Sequence, residues 1–419
     1  MKNRIGNAIV GQSGGPTSAI NATLSGVIRA AIENPCIEHI YGAINGIEGV
    51  LSENIVDLDV QFDRPETLQL LAHTPAATLG SCRKKLPSYS ADDPTYHKLF
   101  RIFEKYNIRY FFYIGGNDSM DTVSKLSTYA AAQGYDISFI GVPKTIDNDV
   151  MGTDHTPGYG SAAKYIATTM QEILCDCAVY TVPAVTIVEI MGRDAGWLTA
   201  AAALPRKFCS VSPDYIYLPE RPFDYIQFYA DIEAALKKHP NVVIAVSEGL
   251  RRSDGHYIGE SSQSGVTDVF GHAYLSGTGK TLEAAVKQQF GCKVRSIELN
   301  IMQRCAAHLA SQTDISESIR VGEAAVRCAV EGGTAKMMAF KRISDEPYQV
   351  EITEIDIASA ANHVKTVPDA FINENANDVT DACIDYILPL CIGELPLLYQ
   401  NGLPVHFHID KTPVSAERS

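Results

Sequence analysis

The sequence runs Arg109-Tyr110-Phe111-Phe112-Tyr113-Ile114-Gly115-Gly116-Asn117-Asp118-Ser119, an apolar stretch that ends in two glycines and a polar turn. The apolar part has the length and aromatic content of a buried strand, and a helical pattern follows over about 120–132. A buried strand that passes through a glycine turn into a helix is the repeating unit of parallel α/β sheets. This stretch therefore predicts an α/β fold.

The same unit recurs along the chain. Further strands are predicted at 8–10, 137–142, 185–190, 241–246, 293–299 and 335–340, and a long helix at 160–174. Because ligands bind beyond the carboxyl ends of parallel strands, we expect the polar groups at these ends to share one site. Those groups are Gly14-Gly15, Gly115-Gly116-Asn117-Asp118-Ser119, Lys144-Thr145-Ile146-Asp147-Asn148-Asp149, Met191-Gly192-Arg193 and Glu248. They predict a cleft between two α/β domains.

Length and composition limit the class of protein. A chain of 419 residues is too long for one ordinary core, so two domains are expected. Hydrophobic residues make up 46% and charged residues 20%, which is typical of globular proteins. The net charge of −14 argues against nucleic acid and anionic membranes as partners. It does not exclude an anionic substrate, because a few basic residues focused in a cleft bind phosphate on an acidic protein.

The chain carries no apolar run of the ~18 residues that a membrane-spanning helix needs. The first residues lead directly into a strand pattern without the apolar core of a signal peptide, so a cytoplasmic location is expected. The 10 cysteines are scattered singly. This spacing disfavours both zinc and a disulfide framework, and it fits reduced thiols.

Two glycine turns have the features of phosphate-binding loops. Gly11-Gln12-Ser13-Gly14-Gly15-Pro16-Thr17 follows one strand, and Gly115-Gly116-Asn117-Asp118-Ser119 follows another. Glycine lets backbone amides approach an anion, and a helix N-terminus favours negative charge. Magnesium prefers one or two carboxylates together with phosphate oxygens. The alternatives are a tight turn without a ligand for the first loop, and helix capping by Asp118 or Ser119 for the second.

The segment Pro143-Lys144-Thr145-Ile146-Asp147-Asn148-Asp149 is the most informative one. Its lysine, threonine and two acids suit phosphoryl transfer, since an acid accepts a hydroxyl proton and a lysine neutralises charge on the moving phosphate. An Asx-rich turn is the alternative.

Basic and acidic residues at other strand ends complete the candidate site. Arg193 offers a planar fork for phosphate, and Glu248 offers an acceptor for sugar hydroxyls. Arg295 and Arg304 flank a late strand and are candidate phosphate anchors. The alternatives are a surface salt bridge for Arg193, a plain loop carboxylate for Glu248, and ordinary surface arginines for the last two.

In this order, the motifs resemble those of the phosphofructokinases, and within them the pyrophosphate-dependent branch. The resemblance spans nearly the whole chain. Beyond the segments already quoted it includes Phe270-Gly271-His272, Gln303-Arg304 and Lys365-Thr366-Val367-Pro368. It implies two Rossmann-like domains with mainly parallel sheets that flank a deep active-site cleft. The phosphoryl-donor domain would comprise residues 1–158 and 303–355, and the fructose 6-phosphate domain residues 159–302 and 356–419.

The resemblance also implies roles for individual residues. Asp147 would be the general base for the 1-hydroxyl of fructose 6-phosphate, aided by Lys144, Asp118 and Thr145. Donor-binding residues would be Gly14, Gly15, Gly115, Gly116 and Ser119. Residues that bind the sugar phosphate would be Thr145, Ile146, Asp147, Met191, Gly192, Arg193, Glu248, Arg295 and Arg304. Residues near Mg²⁺ would be Asn117, Asp118 and Asp149. Arg295 matches an arginine that reaches into a neighbouring subunit, which implies a homodimer or homotetramer.

Donor choice depends on two positions. ATP-dependent members of the family usually carry glycine where this chain has Asp118 and Lys144. A carboxylate at 118 would repel the α-phosphate of a nucleotide, and a lysine at 144 would compensate charge on a small pyrophosphate. Both residues predict pyrophosphate as the donor, in a reversible reaction that serves glycolysis and gluconeogenesis.

Three positions depart from the family pattern. Asn117 replaces a common aspartate, Ile301 replaces a sugar-phosphate histidine, and Ala184 replaces an intersubunit arginine. Sedoheptulose 7-phosphate therefore stays open as a second acceptor. The competing hypotheses are an ATP-dependent phosphofructokinase, a non-catalytic regulatory subunit that binds phosphosugars, and a kinase of the NAD kinase type.

Overall fold

The computed structural model describes residues 4–90, 92–209, 211–259, 277–360 and 363–414. The predicted motif Phe270-Gly271-His272 lies outside the described residues. The strands are β1 Gly6–Gln12, β2 Ile37–Ala43, β3 Ile55–Asp57, β4 Ile108–Gly115, β5 Ser138–Pro143, β6 Ala184–Ile190, β7 Tyr215–Tyr217, β8 Asn241–Ser247, β9 Lys293–Glu298, β10 Lys336–Asp345, β11 Tyr348–Asp356, β12 Tyr399–Gln400 and β13 Leu403–Pro404.

Helices connect most of these strands. The α-helices are α1 Ile20–Ile32, α2 Gly46–Leu51, α3 Pro65–Ala72, α4 Pro94–Lys105, α5 Asn117–Gln133, α6 Tyr159–Cys177, α7 Trp197–Ala200, α8 Arg206–Cys209, α9 Tyr225–Leu236, α10 Thr278–Phe290, α11 Met302–Cys305, α12 Gln312–Val330, α13 Ile357–Ala360 and α14 Asp381–Ile387.

The larger sheet has the strand order β11-β10-β5-β4-β1-β2-β3. Its inner strands run parallel, whereas the outermost strands β3 and β11 each pair antiparallel with their neighbour. Strands β1, β4 and β5 are buried along nearly their whole length, as expected of central strands covered on both faces. The carboxyl ends of these three adjacent strands therefore open at one edge of the sheet.

The smaller sheet has the order β7-β8-β6-β9, and all its described pairings are parallel. Strands β6 and β8 are adjacent, so the segments that follow Ile190 and Ser247 lie side by side. Two mainly parallel sheets with intervening helices confirm the α/β prediction.

Element boundaries differ from the predicted ones in an informative place. Helix α5 begins at Asn117 rather than near residue 120, and its N-cap residue is Gly116, which makes no side-chain capping bond. Asn117, Asp118 and Ser119 therefore form the first helical turn. Neither Asp118 nor Ser119 is the helix cap, so the capping alternative was wrong.

The C-terminal residues contact the larger sheet's side of the molecule. The rings of Phe62 and Phe407 lie 4.8 Å apart, and the Val414 amide donates to the Ile55 carbonyl at 2.8 Å. Phe407 and Val414 belong to the range 356–419, which was predicted to form part of the second domain. In the part of the chain that the structure describes, no helix is long and apolar enough to cross a membrane.

Candidate active site

The turn after β1 is shaped around a lysine from the end of β5. Lys144 is only 2% exposed, and its Nζ donates to the Gly15 carbonyl oxygen at 2.6 Å. Gly14 has a φ of 78°, and a Cβ at this position would lie 3.3 Å from that ammonium. The backbone conformation and the close approach both explain glycine at position 14. The arrangement places a cation beside the phosphate-loop backbone.

The turn after β4 lies against the end of β5 and the loop that follows it. The Lys144 amide donates to the Gly115 carbonyl at 2.9 Å, which joins the two strand ends. Asn117 Nδ2 donates to Asp149 Oδ2 at 3.3 Å, and Asp118 Oδ1 lies 3.1 Å from the Lys85 Nζ. Asn117 and Asp149, predicted from separate motifs, are thus in contact.

The oxygens suited to a magnesium ion belong to Asn117, Asp118 and Asp149. The buried Asn117 Oδ1 makes no hydrogen bond among the described residues, although buried oxygens are normally paired. Asp149 lies beside it and supplies a carboxylate. No group of three His, Cys, Asp or Glu side chains poised for a metal occurs in the described ranges. An unpaired amide oxygen with one or two carboxylates fits a cation that takes its other ligands from phosphate and water.

The loop between β5 and α6 carries the two predicted acids in a fixed conformation. The Asp147 amide donates to Thr145 Oγ1 at 3.1 Å, and Thr156 Oγ1 donates to the Thr145 carbonyl at 2.8 Å. Asn148 has a φ of 54° in the left-handed region, which asparagine tolerates better than most residues. Thr145 therefore orients the loop, and its hydroxyl already serves the Asp147 backbone.

Burial and neighbouring charge shift the pKa values of these groups. Burial raises the pKa of Asp147, and the nearby Lys144 and Arg193 oppose that rise. Burial and the negative charge of Asp147 raise the pKa of Asp149 to about 7. Burial lowers the pKa of Lys144 to about 8, whereas Asp147 opposes the change. Perturbed groups gathered at strand ends are typical of a catalytic site.

The acceptor side of the site is built at the ends of β6 and β8. Glu248 Oε1 accepts a hydrogen bond from the Gly192 amide at 3.2 Å, and Ser247 Oγ donates to the Gly192 carbonyl at 2.5 Å. Gly192 has a φ of 127°, a conformation open to glycine alone. Burial raises the pKa of Glu248 to about 7. The segment Met191-Gly192-Arg193 is thus held by its neighbouring strand.

Two of the three predicted arginines lie in the same cluster. Arg193 and Arg304 are both close enough to Asp147 to lower its pKa. A Cβ at Gly15 would lie 3.5 Å from an Nη of Arg304, which places Arg304 beside the phosphate loop. The Arg193 Nε is buried and has no partner among the described residues. Both guanidinium groups are therefore placed to meet an anion.

The structure does not bring Arg295 to this cluster within the chain. Arg295 pairs with Thr186 near the amino-terminal ends of β9 and β6, whereas the site lies at the carboxyl ends. Its side chain is exposed, with Nη1 3.9 Å from Asp176 Oδ2.

Ile146 differs from the polar residues of its loop, because its side chain is buried in the apolar core. This leaves the Ile146 backbone for any substrate contact.

Sequence reasoning missed several residues that surround the site. Lys85 faces Asp118, and the charge of Arg83 helps to lower the pKa of Lys144. Gln303 Oε1 accepts from the Met191 amide at 3.2 Å. The run Arg83-Lys84-Lys85 in an acidic chain was a detectable signal for the first two. The sequence motif that contains Lys365 gives no role to this residue.

Together these features define a class of protein. One face of the site offers backbone amides and a buried ammonium for an anion, and the other offers two guanidinium groups and a carboxylate. The loop after β5 adds the carboxyl groups of Asp147 and Asp149. The fold and the site are those of an α/β phosphotransferase that acts on an alcohol.

The chain belongs to the phosphofructokinase family, whose characteristic sequence matches residues 7–329. It is 43% identical over 403 residues to a pyrophosphate–fructose 6-phosphate 1-phosphotransferase of Halomonas elongata, covering 95% of this chain and 94% of the relative. A protein of the same name from Xanthomonas campestris is 40% identical, covering 98% of this chain and 97% of the relative. The solved structure of a pyrophosphate-dependent phosphofructokinase from Nitrosospira multiformis superposes with a TM-score of 0.88 at 36% identity, with 98% of each chain covered.

Proposed function

We propose that this protein is a pyrophosphate-dependent 6-phosphofructokinase. It transfers a phosphoryl group reversibly from pyrophosphate to the 1-hydroxyl of fructose 6-phosphate, giving fructose 1,6-bisphosphate and phosphate. The observation that carries the proposal is the buried Lys144 ammonium. Its Nζ lies 2.6 Å from the Gly15 carbonyl oxygen, and the negative charge of Asp147 raises its pKa against the effect of burial. The names of the Halomonas and Xanthomonas relatives support the same donor and acceptor.

In this reaction Asp147 is the general base. A carboxylate takes the proton of the 1-hydroxyl as that oxygen attacks the phosphorus. Burial raises the pKa of Asp147, and the positive charges of Lys144, Arg193 and Arg304 oppose that rise. Lys144 stabilises negative charge on the phosphate that leaves. Gly14, Gly15, Gly115, Gly116 and Ser119 form the donor-binding surface. Because a group that removes a proton in one direction returns it in the other, the same residues serve the reverse reaction.

The acceptor residues hold the sugar phosphate at a fixed distance from Asp147. Arg193 and Arg304 bind the 6-phosphate, since a guanidinium fork matches phosphate oxygens. Glu248 accepts hydrogen bonds from sugar hydroxyls, and Met191 and Gly192 line the ring. The carboxylate of Glu248 is already oriented by the Gly192 amide, so little ordering is needed when the sugar binds.

Mg²⁺ fits the oxygens of Asn117, Asp118 and Asp149. These residues would hold the ion, which would supply positive charge against the pyrophosphate oxygens. Asp149 accepts a hydrogen bond from Asn117, and burial together with the charge of Asp147 raises its pKa to about 7. A nearby cation would favour its ionised form. The single amide in the set weakens one contact relative to a third carboxylate.

Donor discrimination is assigned to Asp118 and Lys144. Asp118 stands in the first turn of α5, beside Lys85, where a longer polyphosphate chain would continue past the first two phosphates. Its carboxylate repels that extension, whereas pyrophosphate ends before it. Lys144 supplies the positive charge that a small, highly charged donor requires.

The test is turnover of fructose 6-phosphate with Mg²⁺ and either pyrophosphate or ATP, with fructose 1,6-bisphosphate as the measured product. Turnover with pyrophosphate alone is expected. Turnover with ATP would overturn the donor assignment and favour the ATP-dependent alternative. Failure with both donors, with fructose 6-phosphate still bound in calorimetry, would favour the regulatory subunit.

We propose the two-domain division with one change from its predicted form. Residues 1–158 and 303–355 bind the donor and residues 159–302 bind the sugar phosphate together with 356–419, except for the last described segment. Sheet membership supports it, because β1 to β5, β10 and β11 form one sheet and β6 to β9 the other. The contacts of residues 407 and 414 favour attaching the last described segment to the donor domain. A cytoplasmic location is proposed, and the net charge of −14 argues against nucleic-acid and anionic-membrane partners.

A homodimer or homotetramer is proposed from the face around Arg295. Tyr180 and Val182 line the same surface pocket as Arg295. Val179, Tyr180 and Val182 are exposed apolar residues, with 69%, 47% and 55% of their surface accessible. Covering such a patch with a second copy would bring an arginine from one subunit toward the site of another. Light scattering is expected to give a mass of at least twice 45.5 kDa.

A further inference from the structure

The catalytic loop is held by a segment more than 200 residues away in the chain. Residues 364–367, here called the strap, pair with the loop through an antiparallel bridge between Val150 and Val364. The Lys365 amide donates to the Asp149 carbonyl at 2.8 Å. On its other side, the Lys365 carbonyl accepts from Trp197 Nε1 at 2.9 Å. The strap therefore ties the loop with Asp149 to the acceptor side of the site.

Where the strap meets the loop, both ends of the Asn148 side-chain amide form hydrogen bonds. Asn148 is fully buried, its Nδ2 donates to the Tyr386 hydroxyl at 3.0 Å, and its Oδ1 accepts from Lys365 Nζ at 3.2 Å. The same hydroxyl and the same ammonium both donate to the Asp154 carbonyl, each at 2.6 Å. A third bond, to the Thr153 carbonyl at 3.2 Å, uses the last proton of the ammonium. The polar groups at this point are thus mutually satisfied.

The contacts of Asn148 matter because this residue lies between the two acids of the loop. Asn148 stands between Asp147 and Asp149, and it adopts a left-handed φ of 54° that costs energy in any residue but glycine. Such a conformation persists only where the surroundings enforce it. The directions of the two neighbouring carboxylates follow from this backbone conformation, because consecutive side chains on a rigid loop have fixed relative orientations.

We propose that Lys365 and Tyr386 are positioning residues for phosphoryl transfer. They form hydrogen bonds with both ends of the Asn148 amide. In this way they orient the Asp147 carboxylate toward the acceptor hydroxyl and the Asp149 carboxylate toward the donor. Neither residue needs to touch a substrate. The inference rests on the proposed function, since it assigns a geometric role within that reaction.

The decisive variant is Tyr386→Phe, which removes one hydroxyl and keeps the ring. We expect kcat to fall about tenfold, the equivalent of one lost buried hydrogen bond, while the KM for fructose 6-phosphate changes less than about twofold. Lys365→Met is expected to lower kcat further, because the ammonium makes three bonds to the loop region.

The matched control is Tyr348→Phe. The Tyr348 hydroxyl donates to Glu317 at 2.9 Å, and the Arg342 guanidinium lies over both tyrosine rings, at 5.2 Å from Tyr348 and 4.5 Å from Tyr386. No hydrogen bond joins Tyr348 to the 145–149 loop among the described contacts. Tyr348→Phe should lower Tm by an amount similar to Tyr386→Phe and leave kcat unchanged.

A double-mutant cycle separates positioning from general support. Asn148→Gly keeps the left-handed backbone and removes the amide that Tyr386 holds. In that background Tyr386→Phe should cost no further kcat. An equal loss of kcat in both backgrounds, or an unchanged kcat in Tyr386→Phe alone, would overturn the positioning role. A wild-type protein that is silent with pyrophosphate and with ATP would instead overturn the proposed function and the inference with it.

Discussion

At the scale of single residues, the central assignment is that of Asp147. In the proposed mechanism, replacement by serine removes the base and opens a small polar gap, and it leaves Arg193 and Arg304 in place to bind the sugar phosphate. We expect Asp147→Ser to lower kcat about 10²- to 10⁴-fold, the range typical of general acid–base catalysis. The dissociation constant for fructose 6-phosphate, measured by calorimetry, should stay within a few-fold of the wild-type value.

The control for this prediction is Asp345→Asn, a change at an exposed carboxylate on the β10–β11 hairpin. Its kcat should match the wild type. If Asp147→Ser lost sugar binding while turnover at saturation stayed intact, Asp147 would be an acceptor ligand rather than the base.

At the scale of elements, we propose that the end of β5 and the first turn of α5 together determine the donor. Lys144 closes the phosphate loop, and Asp118 projects from the first turn beside Lys85. Asp118→Gly combined with Lys144→Gly removes the repulsive carboxylate and the compensating ammonium. We expect the double variant to gain ATP-dependent turnover and to lose at least ~10-fold in kcat/KM for pyrophosphate, since one charge-assisted contact is lost.

Each single variant serves as a control for the pair. Asp118→Gly alone should admit ATP weakly, because the neighbouring lysine still favours the smaller donor. A double variant without any ATP turnover, but folded by circular dichroism, would mean that other elements determine donor choice.

The loops and helix starts show which parts of the site can be predicted from the sequence. The loops after β1, β4, β5, β6 and β8 were predicted, because each follows an apolar strand and the carboxyl ends of parallel strands converge. The start of α5 was placed three residues late, since Asn117 and Asp118 are typical of turns and their helical state depends on the capping geometry at Gly116. Tyr386 carries no local signal. Tyr386 meets Asn148 across 238 residues, and only tertiary packing brings such pairs together.

At the scale of the whole molecule, a buried charged network joins the larger sheet to α12 and α14. His155 is 2% exposed, with Nδ1 2.8 Å from Asp154 Oδ2 and Nε2 2.7 Å from Glu317 Oε2. Carboxylates only accept hydrogen bonds, so both ring nitrogens donate and the ring is an imidazolium. Arg342 holds Asp154 through two bonds at 3.2 and 3.1 Å, which completes the pairing of charges.

This network makes the stability of the fold depend on pH. Burial disfavours the charged ring, but the bonds to Asp154 and Glu317 outweigh it and raise the pKa of His155 above 6.5. Because folding raises this pKa, the imidazolium contributes stability in full below about pH 6.5, and the contribution is lost as pH rises through the folded value. We therefore expect His155→Gln to lower Tm by on the order of 5 °C at pH 6 and by clearly less at pH 9. His39→Gln, at a half-exposed histidine that pairs with Asp59, should change Tm little at either pH. A loss of Tm in His155→Gln that is the same at both pH values would mean that His155 does not titrate between them, and the network would then stabilise the fold through packing alone.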